Sequence, residues 1–432
     1  MTRVRKKFTP EVHLSLNVRG LHPSATLAVN EQCTRLQQEG RDVYRLGLGQ
    51  SPFPVPAPVV EALRASADQK DYLPVQGLPA LRQAVAAYVR RRHGLHRSGD
   101  DVLIGPGSKE LMFLLQLVYY GDLVVPTPSW VSYMPQAQIA GRQTRWLRTE
   151  PGNEWFLTPD ELAELCSEDP GRPRLVILNY PANPTGRTYG KTDLKLLAEV
   201  ARRHRVLLLS DEIYGELDYT GHHVSIARYY PEGTIVSGGL SKWCGAGGWR
   251  LGTFVFPPSL NWLRDAMASV ASETFTSTSA PIQYAAVTAY EGGRDIDDYL
   301  GWARRVLKAL GHAIAWQLRG AGVEVSVPQG GFYLFPDFGG HRQILASRGM
   351  TDSPSLCQRL LAETGVAILP GSVFGRPREE LTARLSFVDF DGAGALAAAA
   401  RLPRRSLPDA AFLQQHCGRT LEAIDRIVQW LG

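Results

Sequence analysis

The chain has 432 residues, more than one hydrophobic core usually fills, so two lobes are expected. Apolar residues make up 44% of the chain and charged residues 21%, which is typical of a soluble globular protein. The formal net charge is +5, but Arg3, Arg5, Lys6, Lys7 and Arg19, set against Glu11, place +4 in the first twenty residues. The nearly neutral remainder argues against nucleic acid as a partner.

The sequence also argues against a membrane partner. No uninterrupted apolar stretch is long enough to span a bilayer, and the N-terminus lacks the apolar segment of a signal peptide. An arginine-rich start is compatible with an organellar transit peptide, although Glu11 argues against it. Five scattered cysteines without metal-ligand spacing indicate thiols rather than a metal site. A cytoplasmic location is therefore expected, with no bound metal.

From about residue 100, short apolar runs alternate with helical periodicity. Helices are predicted over 108–120 and 191–204, and strands over 101–105, 122–128, 174–180, 205–211, 234–238 and 252–257. Apolar strands separated by helices indicate an α/β fold whose mainly parallel sheet is covered on both faces. Ligands in such folds bind beyond the carboxyl ends of the strands.

The last third of the sequence indicates a smaller α+β lobe. Short strands are predicted over 322–327, 330–338, 365–371 and 383–390, and a terminal helix carries Leu421, Ile424, Val428 and Leu431 on one face. We expect an N-terminal arm and small-lobe segment over 1–45, a large domain over 46–300 and a small C-terminal domain over 301–432.

The run "SGGLSKWCGAGGWRLG" (237–252) carries the strongest chemical signal. Lys242 follows an apolar strand and precedes a glycine-rich turn, and Arg250 lies eight residues further on. A lysine amine can capture an aldehyde as a Schiff base, and an arginine can bind a phosphate. This spacing therefore suits an aldehyde cofactor that carries a phosphate.

Other segments supply partners for the remaining groups of such a cofactor. Asp211 ends a predicted strand, and a carboxylate buried there needs a cation such as a protonated pyridine nitrogen. Asn183 in "NYPANPTG" offers an amide to a phenolic oxygen, and Trp130 offers a face to an aromatic ring. Arg250 and the start of the helix after "GPGS" suit a phosphate dianion. Together these requirements describe pyridoxal 5′-phosphate.

From "RLGLGQSPFPVP" (45–56) to "RLSFVDF" (384–390), the chain resembles the fold-type I, pyridoxal-phosphate-dependent aminotransferases of class I and II, the relatives of aspartate aminotransferase. The resemblance rests on "YLPVQGLPALR", "PTPSWVSY", "NPTG", "SDEIYGEL" and "LSK…GGWRLG" in that order. It implies a large domain with a mainly parallel seven-stranded sheet, a smaller α+β domain and a homodimer.

The resemblance also implies a role for each matching position. Lys242 is implied to form the Schiff base, and Asp211 and Tyr214 to contact the ring nitrogen and the phenolic oxygen. The other implied cofactor contacts are Asn183, Trp130, Ser108, Lys109, Arg250 and, from a neighbouring subunit, Tyr72. The implied substrate contacts are Gly49, Asn183 and Arg384, the last of which clamps the substrate carboxylate.

Two departures from the family pattern affect this picture. Gly239 stands where many relatives carry a serine that binds the phosphate. Ser51, Pro52 and Phe53 replace polar residues that border the substrate in relatives, which leaves the side-chain preference open. Lys109 suits either the carboxylate of an acidic substrate or the phosphate, whereas Phe53, Trp130 and Tyr133 suit an apolar or aromatic substrate.

The implied activity is ping-pong transamination between an amino acid and a 2-oxo acid. A pyridoxal-phosphate lyase on the same fold is the alternative. Two other classes fit the sequence poorly. Fewer than fifty residues precede Gly49, too few for the DNA-binding domain of a cofactor-binding transcription regulator. The glycine fingerprint of a dinucleotide-binding dehydrogenase is also missing after the first strand.

Overall fold

A computed structural model describes residues 13–21 and 23–432. Its strands are β1 (Tyr44–Arg45), β2 (Val102–Gly105), β3 (Asp122–Thr127), β4 (Thr144–Arg148), β5 (Arg174–Asn179), β6 (Leu207–Asp211), β7 (Thr234–Gly239), β8 (Gly252–Val255), β9 (Tyr333–Leu334), β10 (Val366–Ala367), β11 (Leu369–Pro370) and β12 (Ala383–Ser386). The basic cluster from Arg3 to Lys7 and Glu11 lie outside the described residues.

The helices of this part of the chain are α1 (Ala25–Gln38), α2 (Ala57–Ala65), α3 (Pro79–His93), α4 (Ser108–Val118), α5 (Tyr133–Ile139), α6 (Pro159–Glu168), α7 (Lys191–Arg203), α8 (Asn261–Thr274), α9 (Ala280–Glu291), α10 (Arg294–Gly320), α11 (Arg342–Ser347), α12 (Ser353–Thr364), α13 (Gly392–Ala400) and α14 (Ala410–Leu431). None of these described helices has the length and apolar character that crossing a bilayer requires. The predicted helices over 108–120 and 191–204 are confirmed as α4 and α7.

A seven-stranded sheet in the order β2-β8-β7-β6-β5-β3-β4 forms the larger part of the molecule. Its strands run parallel except for β8, which is antiparallel to both β2 and β7. This arrangement confirms the predicted α/β fold with a mainly parallel sheet. Every residue of β2, β6 and β8 is buried, because helices cover both faces of the sheet.

The strand register positions the polar residues at one edge of this sheet. Asn179 at the end of β5 pairs with Asp211 at the end of β6, and Asp211 pairs with Ser237 on β7. Carboxyl ends of parallel strands meet at the same edge, so these three side chains lie side by side there. The edge forms the floor of the cavity described below.

The smaller strands pair in two separate sheets. Strands β11, β12 and β9 form an antiparallel sheet, and β1 pairs in parallel with β10. Strand β1 thus pairs with a strand of the last third of the chain, and the assignment of the N-terminal segment to the smaller lobe stays a prediction. The strand predicted over 322–327 is wrong: only a single bridge forms there, between Glu324 and Asp337.

Helix α10 links the two parts of the molecule. It runs continuously through residue 300 and buries Val306, Leu310 and Ile314 in the largest hydrophobic cluster, together with Phe332 and Phe387. Burial of each such side chain stabilises the fold by about 1.5–3 kcal/mol. The domain limits at residues 45 and 300 stay a prediction.

Candidate active site

A cavity of about 500 Å³ opens at the carboxyl edge of the main sheet. That volume lies in the range of pockets for cofactors and small metabolites. Its walls contain all but one of the residues predicted from the sequence: Gly49, Ser108, Lys109, Trp130, Asn183, Asp211, Tyr214, Lys242, Arg250 and Arg384. The fold therefore brings together side chains from both ends of the chain.

Lys242 lies in the turn after β7, and its amine points into the cavity. Nζ donates a hydrogen bond of 2.6 Å to the carbonyl oxygen of Gly49. Loss of hydration lowers the pKa of Lys242 to about 8, and the positive charges of Arg384 and Arg250 act in the same direction. A useful fraction of this amine is therefore unprotonated near neutral pH, as a nucleophile or base must be.

Asp211 lies at the end of β6 with only 3% of its surface exposed. Its Oδ2 accepts a hydrogen bond of 2.7 Å from the Tyr133 hydroxyl, and its Oδ1 accepts one of 3.4 Å from Ser237. Burial raises the pKa of Asp211 to about 6, although these hydrogen bonds oppose the rise. Among the described residues, no side chain forms a salt bridge with this carboxylate. A buried cation at this position would stabilise it.

Arg384 is a buried cation without an anionic partner in the described chain. From β12 it donates to Asn183 Oδ1 at 3.1 Å and to the carbonyl oxygen of Gly47 at 2.5 Å. Its guanidinium lies over the rings of Tyr333 and Phe374, with distances of 4.8 and 5.0 Å to their centroids. Both rings hold the planar guanidinium in place, so its N–H groups are oriented to bind a carboxylate that enters the cavity.

Tyr214 and Tyr333 share a hydrogen bond between their hydroxyl groups, with an O–O distance of 2.8 Å. Tyr333 also packs directly against Gly49, where any added Cβ atom would overlap the Tyr333 hydroxyl. Glycine is therefore required at position 49 for the observed tyrosine placement. Sequence reasoning missed Tyr333, because "GGFYLF" has the pattern of a buried strand.

The start of α4 and Arg250 form a cradle for an anion. Gly107 precedes the helix with φ +90°, and the Arg250 guanidinium occupies the space where a Cβ atom of residue 107 would lie. Gly252 packs against the backbone of Ser108. Backbone atoms leave no room for a Cβ atom at Gly252, and the positive φ at position 107 favours glycine there. Arg250 itself adopts a left-handed backbone conformation, with φ +55°, which non-glycine residues adopt only rarely. Helix amides and an arginine suit a phosphate.

Lys109 and Trp130 border the same end of the cavity. The Lys109 ammonium lies over the Trp130 ring, 5.2 Å from its centroid. Burial lowers the pKa of Lys109, and the nearby Arg250 lowers it further. No salt bridge to Lys109 forms within residues 13–21 and 23–432. This cation is therefore available to a ligand.

The residues present fit pyridoxal phosphate. Its pyridinium would neutralise the buried Asp211 carboxylate, and its phosphate would occupy the cradle of Arg250 and the Ser108 amide. Trp130 supplies an aromatic face, and Lys242 supplies an amine that is partly unprotonated at neutral pH. Within the described residues, none of the charged side chains among them, Asp211, Lys242 and Arg250, forms a salt bridge.

Comparison with known proteins agrees with this fit. The family described as "Aminotransferase class I and II" matches residues 41–393. The chain belongs to this family. An aspartate aminotransferase of Geobacillus stearothermophilus is 35% identical over 373 residues, covering 84% of this chain and 92% of that protein. An aspartate/prephenate aminotransferase of Thermus thermophilus is 32% identical over 366 residues, covering 84% and 91%.

Solved structures confirm the fold. The aspartate aminotransferase of Thermus thermophilus with maleate superposes with a TM-score of 0.82 at 29% identity, covering 97% of this chain and all of that one. Class I and II aminotransferases depend on pyridoxal phosphate, so the chain is a pyridoxal-phosphate-dependent aminotransferase. The names of the relatives do not favour the alternative of a lyase.

One predicted residue lies elsewhere in this aminotransferase. Tyr72 is outside the cavity of its own chain, and 89% of its surface is exposed. Its role at the phosphate of a neighbouring subunit stays a prediction.

Two residues considered for substrate recognition do not line the cavity. Tyr133 is buried and bonded to Asp211, and Phe53 is buried edge-on against Phe390, with centroids 6.0 Å apart. Ser24 and Thr26 at the start of α1 do line the cavity, although sequence reasoning missed them. A polar residue before a helix predicts only a cap, and here the Ser24 side chain makes no cap hydrogen bond.

Proposed function

We propose that this aminotransferase transfers the amino group of an acidic amino acid, aspartate or glutamate, to a 2-oxo acid by a ping-pong mechanism, with Lys242 as the residue that binds the cofactor covalently. One observation carries the proposal. Among the cavity-lining residues, four cationic side chains, Lys109, Lys242, Arg250 and Arg384, face a single carboxylate, that of Asp211. This excess of positive charge suits a cofactor phosphate together with a dicarboxylate substrate.

Pyridoxal phosphate supplies an aldehyde for exchange of the amino group and a ring that accepts electrons from the substrate α-carbon. Asp211 would hold the proton on the ring nitrogen. Tyr214 and Asn183 would donate to the phenolic oxygen, and Trp130 would cover one face of the ring. Arg250 and the amide of Ser108 would hold the phosphate.

Arg384 and Lys242 would act on the substrate. The Arg384 guanidinium, fixed by Asn183 and by the Tyr333 ring, would bind the α-carboxylate through two parallel hydrogen bonds. This contact orients the α-hydrogen toward Lys242. The Lys242 amine would be freed when the substrate amine takes its place on the cofactor. With its pKa lowered to about 8, it would then remove the α-proton and deliver it to the cofactor carbon that had carried the aldehyde.

Lys109 is the proposed partner of the substrate side-chain carboxylate. It is the cavity cation that remains once Arg250 binds the phosphate, Arg384 the α-carboxylate and Lys242 the cofactor. Ser24 and Thr26 add hydroxyl groups to the wall of the cavity. Several of the relatives are named aspartate aminotransferases, and a solved one is described with maleate, a four-carbon dicarboxylate.

An apolar or aromatic substrate fits the described cavity less well. Of the three aromatic residues considered for that role, only Trp130 faces the cavity, and its face is proposed to cover the cofactor ring. Phe53 and Tyr133 are buried elsewhere. The proposed preference for an acidic side chain follows from the positive charge of Lys109, which has no other assigned partner.

The proposed assembly is a homodimer in the cytoplasm. The exposed Tyr72 ring is available to the phosphate of a second subunit, as the family resemblance implies. All five cysteines lie within the described residues and are buried and unpaired, as expected in a reducing compartment. Sedimentation analysis should show a dimer. Tyr72→Phe should weaken the binding of pyridoxal phosphate, but the variant should still be a dimer.

A half-reaction scan tests the substrate assignment. The visible absorbance of the loaded enzyme should change with aspartate or glutamate at far lower concentration than with phenylalanine or leucine. Lys109→Ala should abolish this preference, whereas the exposed Lys195→Ala on α7 should retain it. Faster conversion of aromatic amino acids by the unmodified enzyme would refute the assignment.

Chemical trapping tests the role of Lys242. Borohydride reduction of the loaded enzyme should attach the cofactor to the peptide that contains Lys242, and Lys242→Ala should retain noncovalent cofactor but lose turnover. Attachment at another lysine would refute this role.

A further inference from the structure

A second buried charge cluster lies directly behind Asp211. Glu212 follows Asp211 at the end of β6 and has only 8% of its surface exposed. Its Oε1 accepts hydrogen bonds from Ser210 at 2.7 Å and from Ser225 at 2.5 Å. Consecutive side chains of an extended segment point to opposite faces, so Glu212 points away from the cavity that Asp211 lines.

Two histidines flank the other oxygen of Glu212. Nε2 of His223 lies 2.9 Å from Glu212 Oε2, and Nε2 of His93, the last residue of α3, lies 3.7 Å from it. Burial opposes charge on both imidazoles, but at His223 the nearby carboxylates, Glu212 foremost, together raise the pKa of the ring. Burial lowers the pKa of His93. The three side chains therefore form one compact buried cluster, in which Glu212 favours protonation of the His223 ring.

The neighbouring charges are already balanced among themselves. Glu216, which also faces His223, forms salt bridges of 2.8 Å with Arg92 and 2.7 Å with Arg304. Tyr88 donates a hydrogen bond to the same carboxylate at 2.9 Å. Asp218 faces His223 as well and accepts from the backbone and hydroxyl of Thr220. Glu212 is nevertheless the closest carboxylate to His223.

A small cavity borders this cluster. It has room for about 30 Å³ and is lined by His93, Glu212 and Ser237, among others. That volume accommodates an ordered water molecule. Ser237 is also a hydrogen-bond donor to Asp211, so the two carboxylates share one polar wall.

We propose that Glu212 and His223 are positioning residues that set the charge of Asp211: Glu212 repels the Asp211 carboxylate from behind, and His223 offsets part of that repulsion. The inference rests on the proposed role of Asp211 at the cofactor nitrogen. Glu212 anchors the end of β6 through partners on several elements, and His223 limits how far its negative charge destabilises the charge on Asp211. Burial and the Glu212 charge both raise the pKa of Asp211, to about 6.

The test compares the pH dependence of pyridoxal phosphate binding to the apoenzyme, measured by quenching of protein fluorescence. His223→Gln leaves Glu212 uncompensated, so the pH below which affinity falls should move up by about one unit. Glu212→Gln removes the repulsion and should move it down or leave it unchanged. The double variant should match Glu212→Gln, because its cluster is also uncharged. Ionisation of the cofactor phosphate affects the pH profile of every variant equally, so it does not contribute to the differences between them.

The opposite signs separate a charge effect from simple damage to the fold. The exposed Glu232→Gln, which breaks a surface pair with Arg202, is the matched control and should leave the profile unchanged. If His223→Gln and Glu212→Gln move the profile upward together, the inference is overturned.

A second readout does not involve the cofactor. Proton NMR of the apoenzyme should show the His223 ring protonated at pH 7 and neutral in Glu212→Gln, with the resonance assigned by its loss in His223→Gln. A neutral His223 in the unmodified apoenzyme would overturn the inference but leave the proposed function intact. If Asp211→Asn binds pyridoxal phosphate as tightly as the unmodified apoenzyme, the proposed function fails, and this inference fails with it.

Discussion

Tyr133, the first residue of α5, donates a hydrogen bond of 2.7 Å to the buried Asp211 carboxylate. This bond favours the charged form of Asp211, while burial opposes it. The carboxylate that faces the proposed cofactor nitrogen is thus held by a neutral hydroxyl. Of the donors that favour its charged form, which also include Ser237 and the backbone of Ile213, Tyr133 acts most strongly.

Tyr133→Phe should weaken pyridoxal phosphate binding, because loss of the donor raises the pKa of Asp211. A hydrogen bond to a charged group contributes about 1.5–3 kcal/mol, so affinity near pH 6.5 should fall roughly tenfold or more. At pH 9 the loss should be smaller, since Asp211 is then ionised in both proteins. Fluorescence titration of the apoenzyme measures both values. The exposed Tyr120→Phe is the control, and an equal loss at both pH values would contradict the explanation.

Lys242→Met should stabilise the apoenzyme at pH 7. The pKa of Lys242 falls from 10.5 to about 8 on folding, so the unfolded chain binds more protons between these values and stability rises with pH across that window. Below pH 8 the full penalty remains, and its removal should add on the order of 2 kcal/mol. Urea denaturation at pH 7 and 9.5 should show a smaller gain at the higher pH. Lys195→Met, on the exposed face of α7, should show neither effect.

Arg384→Lys should impair substrate binding while cofactor binding persists. Lysine retains the charge but loses the two parallel donors and the stacking on Tyr333, so KM for the amino acid should rise about 100-fold. Affinity for pyridoxal phosphate should change less than twofold. Arg376→Lys is the matched control, because Arg376 is equally buried but bonds to Glu380 and Thr149. It should lower stability and leave KM unchanged, and a similar KM change in both variants would argue against a substrate contact.

Gly239→Ser should not restore a phosphate contact. A Cβ atom at this position would lie 2.7 Å from the Leu251 carbonyl oxygen and 3.2 Å from Gly252 Cα, both of them backbone atoms. The crowding should cost about 1–3 kcal/mol of stability, measured by thermal or urea denaturation. Gly152→Ser, where nothing lies within 4 Å, should be nearly neutral. Tighter cofactor binding by the Gly239 variant at unchanged stability would contradict this expectation.

Local patterns were sufficient for the parallel strands but not for β4. Strands β3, β5 and β6 are buried on both faces, so their residues form continuous apolar runs. Strand β4 has the sequence TRWLR and lies at the sheet edge, where most of its side chains face water. Its position follows from pairing with β3, which leaves no mark in its own sequence. The sequence of β4 alone therefore does not predict a strand.

The candidate site likewise contains residues that the sequence predicts and residues that it does not. Lys242, Asp211 and Arg384 carry chemistry that identifies them in the sequence, and the fold places all three at one cavity. Tyr333 acts through Tyr214, 119 positions away, and Tyr133 through Asp211, 78 positions away. A tyrosine does not reveal in sequence which hydroxyl or carboxylate it will meet. Such supporting contacts become visible only in three dimensions.

The hydrogen bond from Arg384 to the Gly47 carbonyl joins positions that are 337 residues apart. Closing so long a loop is slow compared with forming helices locally, because chain entropy must be lost before the contact is made. On dilution from denaturant, helical circular dichroism should therefore return well before dicarboxylate recognition. During synthesis on the ribosome, a nascent chain shorter than 384 residues lacks the carboxylate clamp altogether.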